Sequence, residues 1–418
     1  MMKNKLCGFC MLLGCVTTLE AQGAGFALLE QSASLLGNSF AGTAVAAEDA
    51  STVFFNLAGL TQLRGIQGVV AVHGINVSTK FSGPGASAFP LGAGTGGNAG
   101  DLAVVPNLYF SVPIGERLVF GLGINAPFGL KTEYESTWLG RFQGIKSDLK
   151  TINVNPSLAF KVSESVSLGA GINWQSAETE LTNAAFIAAG PTEGRAQLEA
   201  GDDAWGWNVG ALFQLGEDMR VGFAYRSKMD YTLQGTLSIM TTGGAPVTSF
   251  SSQADITFPD IATLSVLQKY TDKWDLLGDL SWTHWSVIDS VSVINRANGT
   301  TLDQLAFRFK DAWRLALGTN YRLDERWTIK GGVAYDESPV DGSNRTVRLP
   351  DSDRVWISFG AKYRFSGAGA VDIGYAHLFS GNGSINNTRT VAGAISTTVT
   401  GEYDASVDIF SAQLSMAF

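Results

Sequence analysis

The chain is predicted to be an all-β transmembrane barrel of about 14 antiparallel strands with a small N-terminal helical hatch in its lumen. Hydrophobic residues make up 45% of the 418 residues and charged residues 16%, yet beyond the N-terminus no run of roughly 18 apolar residues occurs. Several stretches instead alternate apolar and polar side chains with a period of two. Short polar turns also alternate with long connections along the chain. A chain of this composition that spans a membrane must do so with strands.

Residues 1–21 are predicted to be a cleavable secretory leader. A short basic start is followed by an apolar stretch too short to span a bilayer and by a small residue, Ala21. Cleavage after Gly23 fits as well, and a lipoprotein signal at Cys15 is a rival interpretation. All three cysteines lie inside the leader, so the mature chain is predicted to contain no thiol.

Charge and aromatic content narrow the class further. Cleavage after Ala21 removes two lysines and one glutamate, which changes the formal charge from −9 to −10. This acidic balance argues against a nucleic-acid partner. The 49 glycines and the 24 Phe, 10 Trp and 10 Tyr residues suit close strand packing and the aromatic girdles of a membrane barrel.

Residues 22–65 are predicted to form the hatch, and residues 66–418 the barrel. The hatch is rich in Ala, Ser and Gly, which allows close packing in a confined lumen. Its apolar residues form short helix-like patches at Leu28, Leu29, Leu35, Leu36 and Phe40. At roughly 40 residues it is too short to bury a stable core, so we expect it to need the barrel around it.

The strands are predicted from alternation, most clearly in the stretch from Trp313 to Leu323. Trp313, Leu315 and Leu317 share one face, while Arg314 and small residues share the other. The stretch from Val355 to Phe365 repeats the pattern, with Trp356 as an exception. A soluble sandwich would alternate in the same way, so the connection lengths discriminate between the two.

The connections are short and long in turn. Tight turns occur near residues 115, 163, 216, 271, 324 and 366, and long loops include residues 295–310 and 380–401. The resulting count is even and places both termini on the periplasmic side, although two strands more or fewer fit the same pattern. The last strand ends on Phe418, which resembles the signal read by the machinery that inserts bacterial outer-membrane proteins.

Several segments together resemble the FadL family (OMPP1/FadL/TodX type), the long-chain fatty acid or hydrophobic-compound transporters of bacterial outer membranes. The likeness covers nearly the whole mature chain and is carried by AGF at 24–26, NLAGL at 56–60, WLGR at 138–141, NVNPS at 153–157, FKDAWRLALG at 309–318, DESPV at 336–340 and LPDSDR at 349–354.

The resemblance implies a passive channel in the bacterial outer membrane, where ligand is captured at extracellular loops and held in a lumenal pocket. The N-terminal hatch would gate it, and ligand would leave sideways through a gap at a kinked strand. Gating is expected at Asn56, Leu57 and Ala58, although Leu57 stands where the family usually has proline. The kink is expected at Gly121 and Gly123, whose alternative role is to form a small-residue barrel face.

Ligand contacts are also implied. Phe26 is the candidate gate contact, because the family's N-terminal segment reaches into the deep pocket. An outer apolar groove is expected from Phe128, Leu130, Trp138 and Phe142, unless these loops fold back on their own aromatics.

A fatty acid carboxylate also favours a nearby cation. Arg308 and Lys310 alternate with phenylalanines and are expected to face inward, where they could meet such a carboxylate or pair with lumenal acids such as Asp336 or Asp372. Besides the ligand, we expect outer-membrane lipids and lipopolysaccharide as partners, and a monomer.

Two other functions remain open, a general diffusion porin and an outer-membrane lipid hydrolase. The three histidines lack metal-ligand spacing and an evident nucleophile motif, so neither catalysis, a metal nor a cofactor is expected. His377 and Ser380 are close enough in sequence to be considered as a hydrolase pair, although such neighbours are common.

Overall fold

The computed structural model describes residues 24–87, 94–187, 192–391 and 395–418. The predicted leader, residues 1–21, lies outside these ranges. Within the described ranges the helices are short: α1 (Ala33–Leu36), α2 (Thr52–Phe55) and two 3-10 helices at Leu57–Gln62 and Trp285–Val287. None of the helices described is long and apolar enough to cross a membrane.

Strands form the rest of the regular structure. In chain order they are β1 (Gln67–Ser87), β2 (Leu102–Ile114), β3 (Leu118–Asn125), β4 (Gly129–Glu133), β5 (Lys146–Lys161), β6 (Val166–Phe186), β7 (Glu193–Leu215), β8 (Met219–Arg226), β9 (Met229–Thr241), β10 (Pro246–Phe258), β11 (Ile261–Lys269), β12 (Trp274–Thr283), β13 (Ser290–Asn295), β14 (Thr301–Ala306), β15 (Ala312–Arg322), β16 (Trp327–Asp336), β17 (Arg354–Ser366), β18 (Gly369–Ser380), β19 (Gly383–Val391) and β20 (Ile395–Ala417).

Among the described residues, fourteen strands pair antiparallel with both neighbours and close a ring in the order β1, β2, β3, β5, β6, β7, β8, β11, β12, β15, β16, β17, β18 and β20. The seam joins β1 to β20, where Gln67 pairs with Ala417 and Ser87 with Thr398. Ring closure pairs these strands along most of their length, which satisfies most of their backbone hydrogen bonds within the sheet. The predicted fold class and strand number are confirmed.

The long connections hold more strand than the sequence indicates. β4, β9, β10, β13, β14 and β19 pair with ring strands or with each other and extend the wall. Residues 295–310 and 380–401, predicted as loops, therefore contain β14 and β19. These two strands were not predicted because their side chains are mostly polar. A strand that extends beyond the membrane needs no apolar outer face, so it lacks the alternation used to predict the others. The long connections all lie at one end of the barrel, which we call the loop end. The tight turns lie at the other end, which we call the turn end.

Side chains alternate between an outer apolar face and an inner polar face. Leu317 and Phe359 are 57% and 63% exposed on the outside, whereas Arg314 and Ser358 are buried. Trp356, the exception in the sequence pattern, points inward and is fully buried. The guanidinium carbon of Arg314 lies 5.2 Å from the centre of its ring. A cation over an aromatic face stabilises this inward position.

The N-terminal segment, residues 24–63, lies inside the ring. Gln31 Nε2 donates to the carbonyl of Ala126 beyond β3 (2.8 Å), and Asn38 Nδ2 donates to the carbonyl of Thr319 on β15 (2.9 Å). Thr61 Oγ1 donates to the Ser167 hydroxyl on β6 (2.7 Å). A segment that contacts strands on all sides of a closed ring can only lie in its lumen. We call residues 24–63 the hatch segment.

Ionic contacts also join the hatch segment to the wall. Nζ of Lys330 on β16 lies 2.9 Å from Glu48 Oε2, and Nζ of Lys362 on β17 lies 2.5 Å from the same oxygen. Lys330 Nζ further donates to the carbonyl of Ser34 (3.0 Å). Both lysines are almost fully buried, so Glu48 supplies the negative charge that their burial requires.

Candidate ligand route through the barrel

Phe26 is the centre of an aromatic cluster inside the barrel. Its side chain is buried, and its ring centre lies 4.7 Å from that of Trp285, 5.3 Å from Phe258 and 5.8 Å from Phe128. These partners come from three different connections at the loop end. We use the name deep cluster for Phe26, Phe128, Tyr231, Phe258, Trp285 and Phe309. Edge-to-face packing of several rings makes this an apolar site of defined shape.

The backbone around Phe26 is held on both sides. Gly25 has φ +65° and its N–H donates to Asp351 Oδ2 (2.8 Å). A Cβ at this position would lie 2.6 Å from Cζ2 of Trp285, so only glycine fits. On the other side the Gly129 N–H donates to the carbonyl of Phe26 (2.9 Å). The N-terminal segment is therefore fixed both to a loop and to the barrel wall.

The wall beside Phe26 is interrupted. β3 pairs regularly with β5 as far as Asn125 opposite Asn153, and pairing resumes at Gly129 opposite Lys150. Three residues, 126–128, thus oppose two, which is a bulge. β3 and β2 pair only up to Ile124, so residues 102–107 of β2 have no β3 or β4 partner in the described pairing. The extra residues turn inward, where Ala27 bridges to Phe128.

This interruption lies beyond the two glycines for which the kink was predicted. Gly121 and Gly123 both belong to the regular part of β3 and face the lumen. A Cβ on Gly121 would lie 2.7 Å from Leu60 Cδ1, and one on Gly123 would lie 3.1 Å from Val53 Cγ1. Their absence of a side chain lets the hatch segment approach the wall. The bend itself occurs at residues 126–128, where Pro127 cannot donate to a ladder.

A small cavity separates the hatch segment from the wall below the deep cluster. Its volume is about 100 Å³, and its lining includes Ala27, Phe55, Asn56 and Trp285. An apolar cavity that holds benzene measures roughly 150 Å³. A larger apolar molecule can enter only when side chains move, and Trp285 in the cavity wall is the residue on which Phe26 packs.

A larger cavity, the vestibule, lies at the loop end. It measures about 600 Å³ and is bounded by residues from six connections. Apolar side chains such as Leu237 and Leu305 form part of its wall, together with the charged residues Asp303, Arg348 and Arg389. Phe307 on its wall packs against Phe309 at 5.1 Å between ring centres, and Phe309 packs against Trp285 at 5.9 Å. Aromatic rings thus connect the vestibule to the deep cluster.

The four residues predicted to form one outer groove are separated in the structure. Phe128 and Leu130 belong to the packing around the deep cluster. Trp138 is fully buried, stacks on Tyr134 with 4.0 Å between ring centres, and belongs to a separate cluster with Phe81 of β1 and Tyr403 of β20. Phe142 is also buried and stacks on Phe186, a residue of the vestibule wall (4.8 Å). The sequence could not show this division, because the bulge at residues 126–128 redirects the chain.

Arg308 and Lys310 are exposed, in contrast to the inward position expected for them. Phe309 between them is buried in the deep cluster, whereas residues 307–310 lie between β14 and β15 and form no strand, so the expected alternation does not set the direction of their side chains. Arg308 also has a positive φ of +48°. The lumenal acid Asp372 lies 3.5 Å from Lys362. A role of the two exposed cations in binding a carboxylate stays a prediction.

Asn56 fixes the turn at which gating was predicted. Its Oδ1 accepts the N–H of Ala58 (3.1 Å), and its Nδ2 donates to the carbonyls of Ala44 (2.6 Å) and Ala211 (3.1 Å). Leu57 is buried against the wall and packs with apolar residues of the hatch segment. The turn is thus held without the family's proline, and its part in gating remains a prediction.

Trp285, Phe258, Tyr231 and Arg348 were not predicted as site residues. None of the four lies within a segment that the sequence pattern singles out, although Arg348 directly precedes residues 349–354, and they lie on connections far apart in the chain. The high aromatic content was the available signal, but it equally predicts the girdles that Trp313 and Phe410 supply outside. Only the closed ring brings these connections together.

His377 and Ser380, considered above as an alternative hydrolase pair, are not brought together. His377 Nδ1 lies 2.8 Å from Asp408 Oδ1, and Tyr375 donates to the same oxygen (2.7 Å). Residues His377 and Ser380 are three apart on β18, so their side chains point to opposite faces of the wall. The histidine is therefore on the outer face with Phe379.

The closed barrel, the hatch segment in its lumen and the vestibule above it define a plugged channel of the outer membrane. A family model described as "Outer membrane protein transport protein (OMPP1/FadL/TodX)" matches residues 14–418. The chain belongs to this family. It is consequently an outer-membrane transport protein and not an enzyme.

Named relatives agree with this assignment. Outer membrane protein P1 of Haemophilus influenzae is 31% identical over 444 residues, covering 95% of this chain and 96% of the relative. The long-chain fatty acid transport protein of Escherichia coli is 31% identical over 410 residues, covering 88% and 90%. The crystal structure of a Pseudomonas aeruginosa FadL homologue superposes with a TM-score of 0.88 at 24% identity, covering 94% of this chain and all of the homologue. The Pseudomonas putida toluene transporter TodX superposes with a TM-score of 0.67 at 16% identity, covering 96% and 99%.

Proposed function

We propose that this protein is a passive channel for long-chain fatty acids or similar hydrophobic molecules. One observation carries the proposal: the N-terminal Phe26 occupies an aromatic cluster next to an interruption in the barrel wall. A relative named as a long-chain fatty acid transport protein and a fold neighbour named as a toluene transporter support this substrate class. An apolar ligand would gain the same burial that Phe26 has there.

The route begins at the extracellular vestibule and continues along Phe307 and Phe309 to the deep cluster. Each step exchanges one apolar contact for another, so the ligand need not be exposed to water on the way. In the deep cluster it replaces Phe26, which moves away together with the backbone that pairs with residues 127–129. No nucleotide or ion-gradient machinery is needed for such an exchange, and the net flow follows the ligand's concentration.

Exit is lateral, through the wall at residues 126–128. At this bulge β3 no longer pairs with β2, so no backbone hydrogen bonds to β2 must be broken there. Inward displacement of the N-terminal segment breaks the bridge between Ala27 and Phe128 and leaves the gap in the wall at residues 126–128 open to the ligand. The turn at Asn56, Leu57 and Ala58 is the fixed point about which the preceding hatch segment moves. The extracellular capture, the gate and the exit are parts of one proposal.

Identification of the co-purified ligand tests the substrate class. The purified protein is extracted with organic solvent and the extract is analysed by mass spectrometry. Long-chain fatty acids or apolar aromatics are the expected result, and consistent absence of any apolar molecule would count against the proposal. Single-channel conductance separates this function from the porin alternative, because a filled lumen should give a nearly closed channel for ions. Steady conductance would favour a porin.

Three partner expectations belong to the same proposal. Outward aromatic residues such as Trp205, 69% exposed, are positioned to meet lipid or lipopolysaccharide. Phe418, 73% exposed at the end of the chain, remains the proposed contact with the insertion machinery. Deletion of Phe418 should lower the amount of inserted barrel, and light scattering in detergent should give the mass of a monomer.

A further inference from the structure

Arg348 is a buried cation in the vestibule wall. It lies on the connection between β16 and β17 and is only 5% exposed. Its Nη1 donates to the carbonyl of Lys146 (2.9 Å), and its Nη2 donates to Oδ1 of Asn183 (3.1 Å). Further bonds go to the Ser147 hydroxyl and to the Thr182 carbonyl. All four acceptors are neutral oxygens.

The charge of Arg348 is therefore not neutralised. Its Nε is buried without a hydrogen-bond partner, and no ion pair involves this residue in the part of the chain that the structure describes. Burial is the main reason why the pKa of Arg348 falls to about 9; the neighbouring Arg389 acts in the same direction, and Asp303 acts against it. The group still carries its proton at neutral pH. Buried charges in proteins are normally paired, so an anionic ligand is the expected partner of this guanidinium.

Arg389 is the second cation of the vestibule wall. It lies on β19, also lines the vestibule, and forms an ion pair with Asp303 of β14. Among the described residues that line the vestibule, Asp303, Arg348 and Arg389 are the charged ones, so their net charge is +1. The chain as a whole has a formal charge of −9. A net positive charge in the vestibule lining favours an anionic ligand.

We propose that Arg348 and Arg389 form a carboxylate-binding subsite in the vestibule, and that Asp303 occupies its Arg389 half until ligand arrives. The inference rests on the proposed function and adds recognition of the head group to it. The ligand is a long-chain carboxylate whose tail lies over Leu305 and Phe307, towards the deep cluster. Its carboxylate replaces Asp303 at Arg389 and accepts a charge-assisted hydrogen bond from Arg348.

This subsite would separate two ligand classes that the apolar route alone cannot tell apart. A carboxylate gains the attraction of two guanidinium groups in a partly dehydrated cavity, where charges interact more strongly than in water. An uncharged hydrocarbon or ester of the same length gains only the apolar contacts. The structure thus favours fatty acids over neutral hydrocarbons at the entrance, before the deep cluster is reached.

The test uses two ligands with the same tail, oleate and its methyl ester. Equilibrium binding of each is measured to the full-length protein in detergent for wild type, Arg348→Gln, Asp303→Asn and Arg296→Gln. Arg296 is the matched control, an exposed arginine at the same end of the barrel that does not line the vestibule. Arg348→Gln should weaken oleate binding about tenfold, the usual effect of losing a charge-assisted hydrogen bond. Asp303→Asn should strengthen it severalfold, because the internal competitor is lost.

Binding of the methyl ester should change less than twofold in every variant. Changes of opposite sign in the two vestibule variants cannot both arise from damaged folding, which thermal melting checks independently. If both ligands respond equally, or oleate binding responds in neither variant, the subsite is overturned while the proposed function stands. If wild type binds neither ligand, the proposed function itself fails. Loss of co-purified lipopolysaccharide in Arg348→Gln with unchanged oleate binding would assign the cation to lipid phosphate and overturn the proposal.

Discussion

Replacement of Phe26 by alanine should increase the affinity for an apolar ligand. In wild type the ligand must displace a ring that packs against Trp285, Phe258 and Phe128. In Phe26→Ala the methyl group leaves that space free, so displacement no longer opposes binding. The prediction tests directly whether the N-terminal ring and the ligand share one site.

The size of the effect follows from the burial of the ring. Phe26 is 6% exposed, and truncation of a buried phenylalanine to alanine costs about 3–5 kcal/mol. A ligand that binds the wild-type protein must displace the Phe26 ring, at a free-energy cost of this order, before it occupies the deep cluster. Since about 1.4 kcal/mol corresponds to a tenfold change in binding constant, even the lower bound predicts an affinity gain of about a hundredfold.

The assay is displacement of a fluorescent long-chain fatty acid from purified protein, with thermal melting measured in parallel. Phe40→Ala is the matched control, because Phe40 is an equally buried phenylalanine of the hatch segment that packs on Trp356 away from the cluster. It should lower stability by a similar amount and leave affinity unchanged. An unchanged or weaker affinity in Phe26→Ala, or an equal gain in Phe40→Ala, would refute the reasoning.

Two further predictions concern movement of the hatch segment. Glu48→Gln leaves the buried Lys330 and Lys362 without their shared carboxylate, at a cost of about 3 kcal/mol, so amide hydrogen exchange in residues 33–49 and ion conductance should both rise. Ala27→Cys combined with Phe128→Cys should cross-link the segment to the wall, because this bridge is antiparallel without direct hydrogen bonds and brings Cα atoms to about 4.5 Å. Oxidation should then stop fatty acid uptake into vesicles, and reduction should restore it.

Each of these two predictions has its own control. Glu48→Asp keeps the charge and should affect exchange less than Glu48→Gln does; equal effects would contradict the ionic explanation. For the cross-link, the single variants Ala27→Cys and Phe128→Cys should not respond to oxidation. Uptake that continues in the oxidised double variant would show that ligand passes without movement of this segment.

The barrel could be predicted from sequence because the membrane imposes a local rule on every strand. Lipid outside and polar contacts inside require alternation, and stretches such as residues 313–323 show it plainly. Trp356 breaks the pattern because the hatch segment creates an apolar patch inside, where Phe40 packs on it. Such exceptions depend on which residues fill the lumen, and the sequence of one strand does not contain that information.

The candidate site was predicted less completely. Phe26 was found through resemblance, whereas Trp285 depends on contacts between distant connections. Arg308 and Lys310 were assigned by alternation, but that rule holds only within a strand, and residues 307–310 connect β14 to β15. There Phe309 is buried and the two cations are exposed. Arg348 could not be predicted as a site residue from the sequence. Its role depends on being bonded only to neutral oxygens, and these come from β5 and β6, which are distant in the sequence.

The position of the hatch segment also constrains the order of assembly. The segment precedes β1, hydrogen-bonds to strands all around the ring, and is enclosed when β1 pairs with β20 from Gln67 to Ser87. A finished wall would block entry of these residues, because their polar contacts lie deep inside. These residues are synthesised before every strand of the ring and must therefore wait, without their wall partners, until the last strand arrives. Pairing of β1 with β20 is then also the step that encloses the hatch segment in the lumen.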